Sequence, residues 1–127
     1  MKKVLIDTHV FLWGIRDDDR MSRRVRELLP ASDVWISVAS LWEIIAKVQI
    51  GKLVLPSPVA RYLSEKLREN GVSVLALTFR HVLRLEEIPM HHRDPFDRVL
   101  IAQSLEERIP LVTSDGVFHR YPIDLIW

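Results

Sequence analysis

The chain has 127 residues, 48% of them hydrophobic and 28% charged, which is typical of a folded domain with its own core. It has no cysteine, which excludes disulfides and cysteine metal sites and fits a reducing, cytoplasmic location. No apolar run approaches a membrane span, and Asp7 interrupts the apolar start too early for a signal peptide. The net charge of +1 does not indicate a nucleic-acid binder, so such a function must rest on local clusters. We expect one domain, residues 1–127.

The first half of the chain predicts two buried parallel strands, at residues 3–7 and 34–37, because both runs are short and apolar. Helices are expected over residues 8–14, 22–29 and 39–50, with Gly14, Pro30 and Gly51 near their ends and Ser22 as a cap. Residues 16–26 contain five arginines. These indicate either an RNA-binding track or a solvated helix face, since residues 17–19 are acidic.

The second half predicts a linker at residues 53–58, a helix at 59–70 closed by Gly71, and a strand at 72–77. Thr78 is the expected cap of a short helix to residue 85, and a longer helix follows at 95–107. Strands are expected at 110–113 and 123–126. This alternation predicts a parallel sheet covered on both faces, with right-handed crossovers. Such sheets bind ligands outside the carboxyl ends of their strands, near the point where the strand order reverses.

The segment from residue 92 to residue 103 predicts a loop that turns into a buried helix. Asp94 suits the N-cap, Pro95 the first helical position and Asp97 the third, while Asp94 is also a candidate secondary acid. Residues 99–102 are apolar without a polar face, as in a helix packed into a core. Arg93 and Arg98 flank the two acids and are candidates to hold substrate phosphates, although solvated arginines are an alternative.

Four acids are expected to meet at one edge of the sheet. Asp7 closes the first strand, Asp115 follows the fourth, and Glu43 and Asp97 lie in the first turns of helices that begin at that edge. Oxygen-only clusters suit Mg²⁺ or Mn²⁺, which can activate water and stabilise charge on a phosphate. Singly, each acid has a structural explanation: Glu43 could complete a capping box with Ser40, and the others could cap helices or turns. Only their convergence favours a function.

With these residues in place, the chain resembles the PIN-domain family, and within it the VapC-type ribonuclease toxins of toxin–antitoxin systems. The matching pieces are VLIDTH (residues 4–9), ISVASLWEI (36–44), DPFDRVLIAQ (94–103) and LVTSD (111–115). The resemblance implies a three-layer α/β/α fold with a five-stranded parallel sheet, and Mg²⁺- or Mn²⁺-dependent endoribonuclease activity. It implies that Asp7, Glu43, Asp97 and Asp115 are the catalytic, metal-binding quartet. Thr8 and Ser114 match small polar positions beside it, where we expect substrate contact.

Two interpretations from different classes follow. The first is an endoribonuclease toxin with an RNA substrate, a cognate antitoxin and a homodimeric state, the last two implied by the resemblance. The second is a non-catalytic PIN-like module that binds RNA or protein. A phosphatase with an aspartyl nucleophile would need an acid at position 9, where His9 stands. His9 is a candidate for substrate contact, whereas His91 and His92 lack a spaced third ligand and predict no transition-metal site. Trp13 and Trp42 lie near the expected edge, where they would suit either the core or a groove for a partner peptide.

Overall fold

The computed structural model describes residues 1–127. The strands are β1 (Lys3–Ile6), β2 (Asp33–Ser37), β3 (Ser73–Leu75), β4 (Leu111–Val112) and β5 (Leu125–Ile126). The α-helices are α1 (Thr8–Arg16), α2 (Arg23–Leu28), α3 (Val38–Gln49), α4 (Val59–Glu69), α5 (Phe79–Arg84) and α6 (Pro95–Glu107). Short 3₁₀ segments occupy Leu29–Ala31, Leu85–Glu87 and Gly116–Arg120. Every predicted element is present, with small shifts at its ends. None of the helices has the length and apolar character that a membrane crossing requires.

The five strands form one parallel sheet in the order β3-β2-β1-β4-β5. The chain starts in the centre, moves outward to β3, and then returns to place β4 on the other side of β1. Leu5 of β1 pairs with Trp35 of β2 on one side and with Leu111 of β4 on the other. The strand order therefore reverses between β1 and β4, where a ligand site is expected.

Helices cover both faces of the sheet, as alternating side chains in the strands require. Val4 and Ile6 of β1 belong to one apolar core, which also contains Val10 of α1 and Ile44 of α3. Leu5, between them, belongs to the opposite core together with residues 100–102 of α6. The predicted three-layer α/β/α architecture with a five-stranded parallel sheet is confirmed.

Helix α1 differs from the prediction at its carboxyl end. It continues two residues past Gly14 and stops at Asp17, whose left-handed backbone (φ 50°) takes the capping position usually given to glycine. A Cβ added to Gly14 would lie 3.3 Å from the Met21 side chain. Gly14 therefore allows close packing and does not end the helix.

Candidate metal-binding cleft at the carboxyl edge of the sheet

A cleft of about 270 Å³ opens at the carboxyl edge of the sheet, where the strand order reverses. We call it the acid cleft, because five carboxylates line it: Asp7, Glu43, Asp94, Asp97 and Asp115. The structure thus brings the four predicted acids together and adds the N-cap Asp94. The rest of the lining comprises Thr8, His9, Lys47, His92 and Phe118.

Asp7 is held rigidly at the end of β1. It is only 5% exposed, and its Oδ1 accepts the backbone N–H of Val10 at 2.8 Å, which makes it the N-cap of α1. Its Oδ2 accepts the hydroxyl of Thr113. Burial raises the pKa of Asp7 above its ordinary value; the two hydrogen bonds oppose this shift and the charge of Asp115 adds to it. Asp7 is therefore a helix cap and a wall of the cleft at once.

Glu43 occupies a different position from the predicted one. Ser37 caps α3, which begins at Val38, so Glu43 lies in the second turn of the helix and not the first. The alternative in which Glu43 completes a capping box with Ser40 therefore does not apply. Instead, Glu43 is 6% exposed and accepts the hydroxyl of Thr8 at 2.7 Å on Oε1, while its Oε2 lies 2.9 Å from Lys47 Nζ.

The environment of Asp97 strongly perturbs its pKa. It lies in the first turn of α6, and its Oδ2 is 2.7 Å from Nε2 of His92. Burial raises the pKa of Asp97 to about 6; the charges of Asp94 and Glu43 add to this, and His92 opposes it. A bound cation would favour the ionised carboxylate, so this environment suits a metal ligand.

Asp94 is the N-cap of α6, as predicted: its Oδ1 accepts the backbone N–H groups of Phe96 at 2.9 Å and of Asp97 at 3.1 Å. Asp115, at the start of a 3₁₀ segment, accepts the N–H of Val117 at 3.0 Å and is exposed. The local capping explanation thus holds for three of the five acids, Asp7 included. Capping leaves the second oxygen of Asp94 and Asp115 without a protein partner, and each bonded oxygen of Asp7 keeps a lone pair, so capping does not compete with a shared site.

Thr8 and Arg98, which were predicted to contact substrate, form hydrogen bonds within the protein instead. The hydroxyl of Thr8 is buried against Glu43, so Thr8 positions that acid. The guanidinium of Arg98 donates to the carbonyls of Ile88 and Pro89, both at 3.0 Å, and at longer range to those of Leu85 and His92. Arg98 therefore holds the loop before α6, and the geometry does not favour a phosphate contact for it.

Arg93 and Ser114 are exposed and do not line the acid cleft, so their substrate contacts stay predictions. Thr113, next to Ser114, is the buried residue that links the acids, because its hydroxyl also accepts the N–H of Asp115 at 3.1 Å. Adjacent residues of an extended chain point to opposite sides. This alternation in the sequence could have indicated that Thr113, and not Ser114, faces the acids.

Sequence reasoning also missed His92 and Lys47. Nitrogen of His92 and oxygens of Asp94 and Asp97 all lie within 4.8 Å of one another, a spacing that could hold a metal ion. His91, by contrast, packs on Tyr121 with ring centroids 5.5 Å apart. Because both histidines are in a loop, their spacing in the sequence does not indicate which of them lies beside the acids. Lys47 was detectable, because it follows Glu43 by four residues on one helix.

The donor set fits a hard divalent cation. Carboxylate oxygens suit Mg²⁺ and Mn²⁺, and the nearby imidazole is a ligand that Mn²⁺ accepts more readily than Mg²⁺. Lys47 is the only lysine or arginine in the lining of the acid cleft, against five carboxylates. Such a concentration of like charge is costly unless a cation balances it.

Comparisons with known proteins agree with this architecture. The family model of the PIN domain matches residues 4–124. Ribonuclease VapC16 of Mycobacterium tuberculosis (strain ATCC 25618 / H37Rv) is 36% identical over 50 residues, which are 39% of this chain. The match spans only 36% of the length of that relative.

Two solved structures share the fold over almost the whole chain. DNA-bound VapBC from Salmonella typhimurium has a TM-score of 0.74 at 19% identity, covering 99% of this chain and 98% of that one. VapBC-5 from Mycobacterium tuberculosis, a member of the VapBC family of toxin–antitoxin systems, has a TM-score of 0.64 at 16% identity, covering 99% and 98%. At these identities the likeness concerns the fold alone.

Proposed function

We propose that this chain, which belongs to the PIN-domain family, is a divalent-metal-dependent endoribonuclease and the toxin of a toxin–antitoxin pair. The observation that carries the proposal is the convergence of five carboxylates in one cleft at the reversal of strand order. The acids come from the end of β1, the second turn of α3, the start of α6 and the segment after β4, and capping gives no reason for all of them to share a cleft. A hydrolytic metal centre does give one.

Asp7, Glu43, Asp97 and Asp115 would hold Mg²⁺ or Mn²⁺, with Asp94 as an additional acid. When bound, such a cation lowers the pKa of a water and stabilises negative charge on the reacting phosphate. The chain's own contribution is to hold the acids in place. Thr113 orients Asp7, Thr8 orients Glu43, and His92 orients Asp97 through one oxygen. Hydrogen-bond partners of this kind fix the geometry of metal ligands, and their loss typically lowers metal affinity or activity by roughly 10- to 100-fold.

An antitoxin partner fits the surface beside the acid cleft. Trp42 is 64% exposed and packs edge-on against Phe96, with ring centroids 5.1 Å apart. Trp42 neighbours Glu43 and Phe96 neighbours Asp97, so an apolar surface borders the acids. VapBC-5, whose fold this chain shares, belongs to a toxin–antitoxin family. A partner segment lying across this aromatic pair would shield the acids from RNA. A homodimer is the assembly that the family resemblance implies.

The test is cleavage of structured RNA by the purified chain in Mg²⁺, Mn²⁺ or EDTA. Either metal should support cutting, and EDTA should abolish it. Asp115→Asn keeps a capping oxygen and should fold, yet it should lose most of the activity. Asp124→Asn, the same change at the opposite edge of the sheet, is the matched control and should behave as the parent. RNA that is bound but never cut under either metal would instead favour the non-catalytic module.

A further inference from the structure

A second groove, of about 210 Å³, lies beside the acid cleft and shares Thr8, His9 and Lys47 with it. Its charged lining is Arg16, Arg20, Lys47 and Lys52, and no acid lines it. We call it the basic groove. Two adjoining depressions of opposite charge thus meet at the start of α1 and at Lys47 of α3.

The four cations that line the basic groove differ in whether they form an ion pair with a carboxylate. Arg20 is bound through two nitrogens to Asp18, at 3.0 and 2.7 Å, and Lys47 is paired with Glu43. Arg16 donates to the carbonyl of Val54 at 3.0 Å and has no carboxylate partner. Lys52 is exposed and also has none. Arg16 and Lys52 therefore bring to this groove two positive charges that form no ion pair.

Three of the five arginines in the predicted track, Arg20 among them, form ion pairs with acids. Arg23 pairs with Glu27 at 3.2 Å and Arg26 with Asp17 at 2.6 Å. Of these five arginines, Arg16 is the one that lines the groove and forms no ion pair with a carboxylate. The positive charge that reaches the site thus comes from the ends of two helices. Arg16 is the last residue of α1, and Lys52 follows the left-handed Gly51 that ends α3.

We propose that the basic groove holds the sugar–phosphate backbone of the RNA strand that leads away from the bond cut in the acid cleft; this inference rests on the proposed function. Five carboxylates repel a polyanion, and one divalent cation does not balance them. The attraction for RNA must therefore come from nearby cations. Arg16 and Lys52 contact phosphates there. His9 is exposed, lines both depressions and lies over Trp13, with ring centroids 5.8 Å apart, so its ring is available to a base.

Binding is measured by fluorescence anisotropy of a labelled single-stranded RNA, in the Asp97→Asn background to prevent cutting. Losing one phosphate contact lowers the salt slope by about 0.7, which corresponds to roughly eightfold weaker binding at about 50 mM salt. Lys52→Glu should show at least this loss. Lys2→Glu makes the same charge change at the opposite edge of the sheet and should bind as the parent. Equal affinities for the two variants would overturn the proposal.

A second measurement separates this inference from the proposed function. The ratio of kcat/KM for a long RNA to that for a dinucleotide should fall toward one in Lys52→Glu and stay at the parent value in Lys2→Glu. An unchanged ratio in Lys52→Glu would refute the groove while leaving the nuclease intact. If the parent cuts neither substrate, the nuclease fails and anisotropy alone decides the groove. Binding of an acidic peptide lost in Lys52→Glu, with RNA binding retained, would assign the groove to a protein partner.

Discussion

Helix α6 has acids at both ends, and the pKa of Asp97 at the amino end shifts in the opposite direction from that of Glu106 at the carboxyl end. At the carboxyl end, Glu106 lies 2.7 Å from the guanidinium of Arg84, and Glu107 lies 3.0 Å from the imidazole of the fully buried His81. Arg84 lowers the pKa of Glu106, whereas burial raises the pKa of Asp97 at the amino end to about 6.

The two ends differ in whether a side-chain donor accompanies each acid. Each acid of the cluster at the carboxyl end has a side-chain partner on α5, so the cluster ties α5 to α6. At the amino end, Arg98 is adjacent to the acids in sequence but is turned toward backbone carbonyls, so the acids remain unbalanced. A protein keeps such an imbalance where a ligand supplies the missing charge.

The largest expected effect contrasts the two ends by activity. Asp97→Asn should reduce RNA cleavage by at least about 100-fold, because in the proposed function Asp97 is a charged metal ligand. Glu106→Gln, at the other end of the same helix, should cut RNA at a rate close to that of the parent. The measurement is the initial cleavage rate of both variants in Mg²⁺. Comparable losses in the two variants would mean that the ends of α6 do not differ in function.

The next effect concerns thermal stability and metal. In the proposed function Mg²⁺ binds the folded protein and not the unfolded chain, so at a concentration about 100 times its Kd it should stabilise the parent by about 2.7 kcal/mol. The accompanying rise in Tm should shrink in Asp97→Asn and persist in Glu106→Gln. Melting curves with and without Mg²⁺ check this. A full metal response in Asp97→Asn would remove this carboxylate from the ligand set.

At the amino end of α6, substitutions of Asp94 should have a different effect from substitutions of Asp97. Asp94→Ala removes two hydrogen bonds to the start of α6 and should cost about 0.5–2 kcal/mol of the free energy of unfolding. Asp94→Asn keeps a capping oxygen and should restore most of that stability. Urea denaturation of both variants measures it. If Asp94→Asn is stable but inactive, Asp94 is a metal ligand as well as a cap.

The smallest effect is a difference in pH dependence. The pKa of Asp97 is raised from 3.8 to about 6, so the folded protein holds this proton longer than the unfolded chain. Stability from Asp97 is therefore present below about pH 3.8 and is lost as the pH rises to about 6. The pKa of Glu106 is lowered, so its contribution is present above its ordinary value and lost as the pH falls.

In EDTA, the Tm of Asp97→Asn should accordingly rise relative to the parent as the pH increases from about 4 to 7, by a few degrees. The Tm of Glu106→Gln should fall relative to the parent over the same range. Parallel melting curves at several pH values test both signs. Shifts of the same sign in the two variants would contradict the electrostatic contrast between the ends of α6.

Local patterns determined the elements of this protein and several details of its site. The sequence Asp-Pro-Phe-Asp predicts the start of α6 because capping oxygens and the fixed φ of proline act on neighbouring residues. Alternation of short apolar runs with amphipathic helices likewise predicts the parallel sheet, and a parallel sheet brings strand ends to one edge. That is why Asp7, Glu43, Asp97 and Asp115 could be grouped although they are distant along the chain.

The tertiary structure alone decided which partner each acid has. The Ser-x-x-Glu pattern at Ser40 allows a capping box, but the N-cap of α3 is Ser37, since β2 ends there and the helix follows without a loop. Thr8, Thr113 and His92 became the supports of the acids, and Arg98 turned away from them. These outcomes depend on distances of a few ångströms between segments that meet only when the sheet assembles. Short-range periodicity carries no information about such distances, so the amino acid sequence indicated where the acids gather but not what holds them.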